Sequence, residues 1–311
     1  MQVAVPVTYN NNNSTPLRLL ETFRTVFYTP IYVSVAGGFL TAEGLDVTFN
    51  TCPAQYPHPL SALKRGHADI VQSGIMRCII ALDWGAETAP LHFAEINSRD
   101  GFFVLSREHH PDFTWDMFQG AAVIPVGFSP MPWASFQYAL RKHDIDPGSL
   151  ALIHGLSLGD AVQAFREGRA EYIHLPEPAA EQLISEGTGH LVSALGTENG
   201  HIAYSSFAAT REFLAKEPDT IMRFIRGFSA ALKWLDNNSA TEISNLVSPF
   251  FPGTPKELIT QSISRYKAQG TWPGKPALEQ PEFEGLQDIL MGAGLVKERQ
   301  PYEKVVSREF A

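Results

Sequence analysis

The residues Phe27-Tyr-Thr-Pro-Ile-Tyr-Val-Ser-Val-Ala-Gly-Gly-Phe-Leu-Thr-Ala-Glu-Gly-Leu-Asp-Val (27–47), followed by Ala62-Leu-Lys-Arg-Gly-His-Ala-Asp-Ile (62–70), decide how this chain reads. Pro30 opens an apolar helical run through Leu40 that closes near the glycine pair, as proline favours a first helical turn and glycine a helix end. Gly44 then makes a turn into a strand through Asn50. Outward from this core, Leu17 to Phe23 reads as a short strand. Leu60 to Gly66 reads as a helix stopped by glycine, and Ala68 to Val71 as another short strand. Strands alternating with helices predict a parallel-rich α/β sheet.

About 100 residues later the pattern returns. Ala164-Phe-Arg-Glu-Gly-Arg-Ala-Glu-Tyr-Ile matches the 62–70 segment with Gly168 for Gly66, and His143-Asp-Ile-Asp-Pro echoes Glu43-Gly-Leu-Asp-Val. A helix, a glycine and a small-residue strand start are also generic to α/β proteins, but their order here predicts two similar units. Two β-like segments, Gly101-Phe-Phe-Val-Leu-Ser and His201-Ile-Ala-Tyr-Ser-Ser-Phe-Ala-Ala-Thr, read as crossings between lobes. The expected organisation is a flexible tail over 1–16, a first lobe of 17–104 and 204–311, and a second lobe of 105–203. The region after Arg211 is mostly helical. Thr220 to Asp236 places Ile221, Phe224, Ile225, Phe228, Leu232 and Leu235 on one buried face, and further helices are expected over 255–268 and 281–291.

Composition excludes several classes. Among 311 residues, 24 Lys and Arg stand against 33 Asp and Glu, a net charge of −9, which argues against binding nucleic acid or an anionic membrane. No apolar run approaches the ~18 residues that would span a bilayer, so direct membrane insertion is not expected. The first residues carry no basic, apolar leader pattern; the expectation is a cytoplasmic protein, or a periplasmic one whose leader has been removed. Cys52 and Cys78 are too few for a disulfide scaffold or a four-thiolate zinc site, and fit one disulfide or two free thiols. The histidines show no metal-ligand spacing, with His109 and His110 adjacent, and glycine-rich nucleotide loops are absent, so no metal or cofactor is expected.

The 27–47 and 62–70 segments resemble the solute-binding proteins of ABC importers for sulfonates, nitrate, taurine and thiamine pyrimidine precursors. The resemblance is good over residues 17–80 and continues weakly through Arg166 to Ile173 and Leu175-Pro-Glu-Pro. It implies an α/β fold of the second periplasmic-binding type: two lobes, each a mixed sheet flanked by helices, hinging around a ligand cleft. It also implies a small-molecule ligand, an ABC transporter permease as partner, and a monomer. A few relatives of the fold are enzymes. One departure is Thr51-Cys-Pro-Ala-Gln-Tyr-Pro-His-Pro, where relatives carry a glycine-rich loop: its three prolines remove amide donors, which favours a larger ligand held by side chains over a bare sulfonate or nitrate.

Ligands of open α/β sheets sit beyond the carboxyl ends of strands, which directs attention to the loops there. After the first strand, Arg24 can clamp a carboxylate, Tyr28 can stack on a ring, and Phe27 and Tyr32 can form walls. The alternative makes the aromatics core and pairs Arg24 with a surface acid. Ser73 and the Gly74 backbone follow the short third strand, where Ser73 can equally cap a helix. Asn97, near the first crossing, can face the cleft or sit in a solvated turn. In the second lobe, Val126-Gly-Phe-Ser-Pro-Met-Pro-Trp-Ala is the preferred contact, with Ser129, Met131 and Trp133. His154-Gly-Leu-Ser offers Ser157 and His154, and Glu177 between two prolines can hold a carboxylate toward an amine or a ring nitrogen, or be a surface acid in a turn. The rival reading is a cleft enzyme, a desulfinase, lyase or hydrolase using Cys52 with His58, and a third is a cytoplasmic precursor-binding protein. Cys78 reads as core.

Overall fold

A computed structural model describes residues 14–310. The chain runs β1 (Thr15–Glu21), α1 (Thr29–Ala36), α2 (Phe39–Ala42), β2 (Leu45–Thr51), α3 (Pro59–Lys64), β3 (Ile70–Gly74), α4 (Met76–Asp83) and β4 (Leu91–Asn97). It continues β5 (Phe102–Ser106), β6 (Ala122–Ile124), α5 (Pro130–Lys142), β7 (Ala151–Leu152), α6 (Leu158–Arg166), β8 (Tyr172–Pro176), α7 (Ala179–Ser185), β9 (His190–Ala194) and α8 (Leu195–Asn199). It closes with β10 (Ser205–Ala209), α9 (Arg211–Lys216), α10 (Pro218–Asn237), α11 (Ala240–Val247), α12 (Lys256–Gln269), α13 (Gln280–Gly292) and α14 (Tyr302–Val305).

The first strand starts at Thr15, two residues inside the expected tail. Seven residues from Thr15 to Glu21 pair in parallel with Leu45 to Thr51, and this ladder draws Thr15 and Pro16 into the sheet. Residues 1–13 of the expected tail lie outside the described residues. The helix predicted over Pro30 to Leu40 is broken at Gly37-Gly38, because Gly38 takes a left-handed φ of 73°.

Two five-stranded sheets form, ordered β2-β1-β3-β10-β4 and β7-β6-β8-β5-β9. In each, the first three strands are parallel, and a strand from across the crossing is inserted antiparallel: β10 between β3 and β4, β5 between β8 and β9. The crossings are therefore shorter than the β-like segments suggested. β5 lies wholly in the second sheet, so the chain leaves the first sheet at Ser98–Gly101 rather than at residue 104. It returns through 200–204. The two crossings are tied together, Ile202 N–H donating to Ser98 O at 3.0 Å and Tyr204 N–H to Asn97 O at 3.2 Å.

The repeated glycines occupy equivalent places. Gly66 after α3 and Gly168 after α6 have φ of 72° and 82°, and β3 and β8 begin four residues beyond them. The echo at Gly44 and Asp144 is also conformational, with φ of 72° and 58°. Asp144 is the one non-glycine residue with positive φ among the described residues, and aspartate tolerates that region better than most. Behind the first sheet, α10 buries Ile221, Phe224, Phe228, Leu232 and Leu235, while Ile225 is only partly buried. Phe207 of β10 meets Phe224 and Phe228 edge-on at 4.8 and 4.9 Å. Truncating such a ring to alanine costs about 3–5 kcal/mol.

Helix α12, resting on α11 and the turn at Val26–Tyr28, clamps the second sheet to this framework. Arg265 forms ion pairs with Glu177 and, at 2.6 Å, with Glu181. Glu177 also accepts from Ser262 Oγ at 3.2 Å and from Glu181 N–H at 2.9 Å. The next residue, Tyr266, donates its hydroxyl to Gly101 O at 2.9 Å, and Gln269 Nε2 donates to Asp100 O at 2.7 Å, so α12 grips the outgoing crossing as well. Among the described residues no helix is long and apolar enough to cross a membrane.

Two outcomes follow. A Cβ at Gly66 would meet nothing within 4 Å, and at Gly168 only Arg107 at 3.8 Å, so alanine there acts through backbone strain alone. Gly66→Ala and Gly168→Ala should each cost about 1 kcal/mol in denaturant unfolding and add when combined. Arg265→Met should cost about 3–5 kcal/mol at pH 8 by leaving Glu177 buried and unpaired. Burial raises the Glu177 pKa, against the pull of Arg265, and loss of the arginine raises it further. A carboxyl whose folded pKa is raised costs stability above its unfolded pKa, so the deficit of this variant should shrink as pH is lowered toward 5.

Candidate functional site

Where the two sheets face each other, a cavity of about 160 Å3 opens at the carboxyl ends of β1, β3 and β6. The first sheet contributes Thr22 and Phe23 after β1, Phe27 and Tyr28 from the following turn, and Gly74, Met76 and Arg77 where β3 passes into α4; Pro57 comes from the loop before α3. Across the gap stand Phe102 at the start of β5 and Phe128, Ser129, Met131 and Pro132 at the start of α5. Tyr204 of the returning crossing and Ser205 at the start of β10 complete the lining. Six of the fifteen lining residues are aromatic, and their rings meet in edge-on or tilted pairs: Phe27 with Tyr204 at 5.5 Å, Phe23 with Phe128 at 5.6 Å, Phe102 with Phe128 at 6.1 Å. The Phe23–Phe128 pair joins the two sides directly.

Of the residues singled out from the sequence, Phe27, Tyr28, Gly74, Ser129 and Met131 line this cavity. Ser129 occupies the N-cap position of α5 without a side-chain cap bond, so its hydroxyl is not used by the helix. The others are placed elsewhere. Arg24 pairs with buried Glu21 at 2.8 Å, and its guanidinium sits 5.1, 5.2 and 5.1 Å from the rings of Tyr32, Phe49 and Phe250. It is sequestered in an aromatic box and is not a clamp on the cavity. Tyr32 is fully buried and donates its hydroxyl to Glu21 at 2.6 Å. Asn97 donates to Phe27 O at 2.8 Å and accepts from Ser205 Oγ, bracing the cavity wall from behind. Ser73 stays inside β3, paired with Ser206, and does not cap α4, whose N-cap is Ile75. Trp133 packs edge-on against Phe136 at 5.7 Å on the far side of α5. Ser157 caps α6, accepting from Asp160 N–H at 3.2 Å, and Glu177 is held by Arg265. The proline-rich loop reaches the cavity through Pro57 alone.

Arg77 was not anticipated. It stands in the first turn of α4, where the helix dipole disfavours a cation, and that misfit was the signal available in the sequence. Burial lowers its pKa, and no carboxylate pairs with it among the described residues. It is the one charged residue lining the cavity. The Tyr204 hydroxyl, on a residue 7% exposed, likewise lacks a partner. Burial raises the pKa of Tyr28 and Tyr204, keeping both as neutral donors. The other contributors, Phe23, Phe102 and Phe128, are ordinary apolar letters in the sequence; only the facing of the two sheets gathers them.

The proposed Cys52–His58 pair is not assembled. Cys52 lies 3.8 Å from its neighbour's carbonyl, Pro53 O, does not line the cavity, and burial raises its pKa, so the nucleophilic thiolate is disfavoured. His58 contacts Ser61 Oγ at 3.3 Å. Cys78 forms a different buried set, 3.3 Å from His92 Nε2, whose Nδ1 lies 2.6 Å from Ser206 Oγ. Burial pushes Cys78 up to about 12 and His92 down to about 3, leaving a neutral thiol and a neutral imidazole. Both cysteines are free. Among the described residues no cluster of three or more His, Cys, Asp or Glu could hold a metal.

Comparison with known proteins places this geometry in context. YtlA of Bacillus subtilis strain 168, whose name marks it as a candidate binding protein, is 33% identical over 298 residues, covering 96% of this chain and 89% of YtlA. The periplasmic aliphatic sulphonate binding protein SsuA of Escherichia coli superposes with a TM-score of 0.75 at 18% identity, over 95% of this chain and 98% of SsuA. The desulfurization enzyme DszB superposes with a TM-score of 0.65 at 14% identity, over 94% and 97%. These likenesses establish the two-lobed fold of the second periplasmic-binding type, which hosts binding proteins and enzymes alike. Residues 19–247 match the NMT1-like family, and the chain belongs to that family.

Proposed function

We propose that this protein is the solute-binding component of an ABC import system, capturing a small organic molecule between its two lobes and presenting it to a permease. The observation that carries this reading is a cavity walled from both sheets, which the backbone joins through two short crossings. A molecule held there touches both lobes only when they are closed, so its differential affinity would drive closure. The description of the SsuA relative as a periplasmic binding protein supports the class, and would carry an extracytoplasmic location with it. The surroundings of Cys52 do not favour the enzymatic alternative.

Screening the purified chain against sulfonates, pyrimidines and organic acids should find a solute that raises Tm and contracts the particle in small-angle scattering. A solute at 100 times its Kd would add about 2.7 kcal/mol to stability. A library that changes neither quantity would refute the reading. Alkylation should label Cys52 slowly, with a rate that climbs toward alkaline pH because burial raises its pKa. Rapid labelling at neutral pH would point back to a cleft enzyme.

A further inference from the structure

We infer that the ligand of the cleft is a single-ring aromatic carboxylate, its carboxylate paired with Arg77 at the first turn of α4 and its ring lodged among Phe23, Phe27, Phe102 and Phe128. This deepens the solute-capture reading and rests on it. Charge comes first. The lining holds one guanidinium and no carboxylate, lysine or histidine, so a monoanion completes the site whereas an amine or a zwitterion leaves a charge unmatched. Of the acids nearby, Glu21 is committed to Arg24, Tyr32 and Thr51, and Glu177 to Arg265, while Asp100 lies behind the wall, accepting from Phe102 N–H at 2.7 Å with its pKa pushed up to about 7 by burial. Arg77, the one charged residue of the lining, has no carboxylate partner among the described residues and stands in a helix turn that itself favours an anion.

Shape comes second. A planar guanidinium fork matches a planar carboxylate in two parallel bonds, whereas a sulfonate presents a third oxygen that needs further donors. Two lining positions, Pro57 and Pro132, have no N–H to give. Among the lining hydroxyls the buried Tyr204 Oη has no partner and is available as a donor. A cavity of about 160 Å3 is close to the ~150 Å3 apolar cavity that holds one benzene ring. Its walls are ring edges and faces, which engage a flat aromatic guest through directional edge-to-face contacts that a saturated ring cannot reciprocate.

Titration calorimetry on the full chain with benzoate, benzamide, benzylammonium, benzenesulfonate and cyclohexanecarboxylate tests this. Benzoate should bind roughly tenfold or more tighter than each of the others, the equivalent of about 1.4 kcal/mol. Arg77→Gln should weaken benzoate by roughly 30-fold, or about 2 kcal/mol, and leave benzamide unchanged, while Arg77→Lys recovers part of the loss. Benzenesulfonate or benzylammonium binding as tightly as benzoate overturns the inference, as does R77Q with undiminished benzoate affinity. Should R77Q fail to fold, the ranking on the unaltered chain decides alone. If the ring compounds do not bind but another solute closes the lobes, the ligand class is wrong and solute capture stands. If no solute of any class closes the lobes, both fall.

Discussion

Each sheet of this protein is completed by a strand delivered from the other side of a double crossing, and that exchange constrains everything else. β5 is wedged between β8 and β9, and β10 between β3 and β4, so neither lobe can finish its hydrogen-bond ladder without the other's chain passing through. The passages are reduced to two short segments bonded to each other. A joint of this kind resists separation yet permits rotation, because few backbone dihedrals absorb the movement. It also places the carboxyl ends of the parallel strands of both sheets around one gap, which is where the cavity lies.

Charges beside the cleft divide into pairs that hold the frame and, on the lining itself, one guanidinium without an acid partner among the described residues. Glu21 with Arg24, and Glu177 and Glu181 with Arg265, are ion-paired next to the cleft without lining it. Buried pairs of this sort add little net stability compared with apolar substitutes, but removing one partner is expensive, so they fix geometry. Arg24 shows how thoroughly such a charge can be withdrawn, with aromatic rings around its guanidinium. Arg77 differs in lacking any such arrangement.

The sequence by itself determined the alternation of strands and helices, the doubling marked by Gly66 and Gly168, the buried face of α10 and the strand-end loops that border the gap. These features depend on local periodicity and on backbone conformations that glycine permits, and both are written in neighbouring letters. Tyr28, Gly74, Ser129 and Met131 were legible for the same reason, being loop or helix-start residues next to strand ends. The exact crossing points were not, since Phe102 to Ser106 reads as an apolar strand whichever sheet receives it.

Only the tertiary structure decided which side chains face the gap and which charges are spent. Arg24, Glu177 and Arg77 are each a charged residue near a strand end, alike in one dimension. Arg24 finds Glu21 three residues back, Glu177 finds Arg265 88 residues on, and Arg77 finds no acid among the described residues. Whether a charge is matched depends on partners brought close by packing, and the order of residues along the chain does not encode that distance.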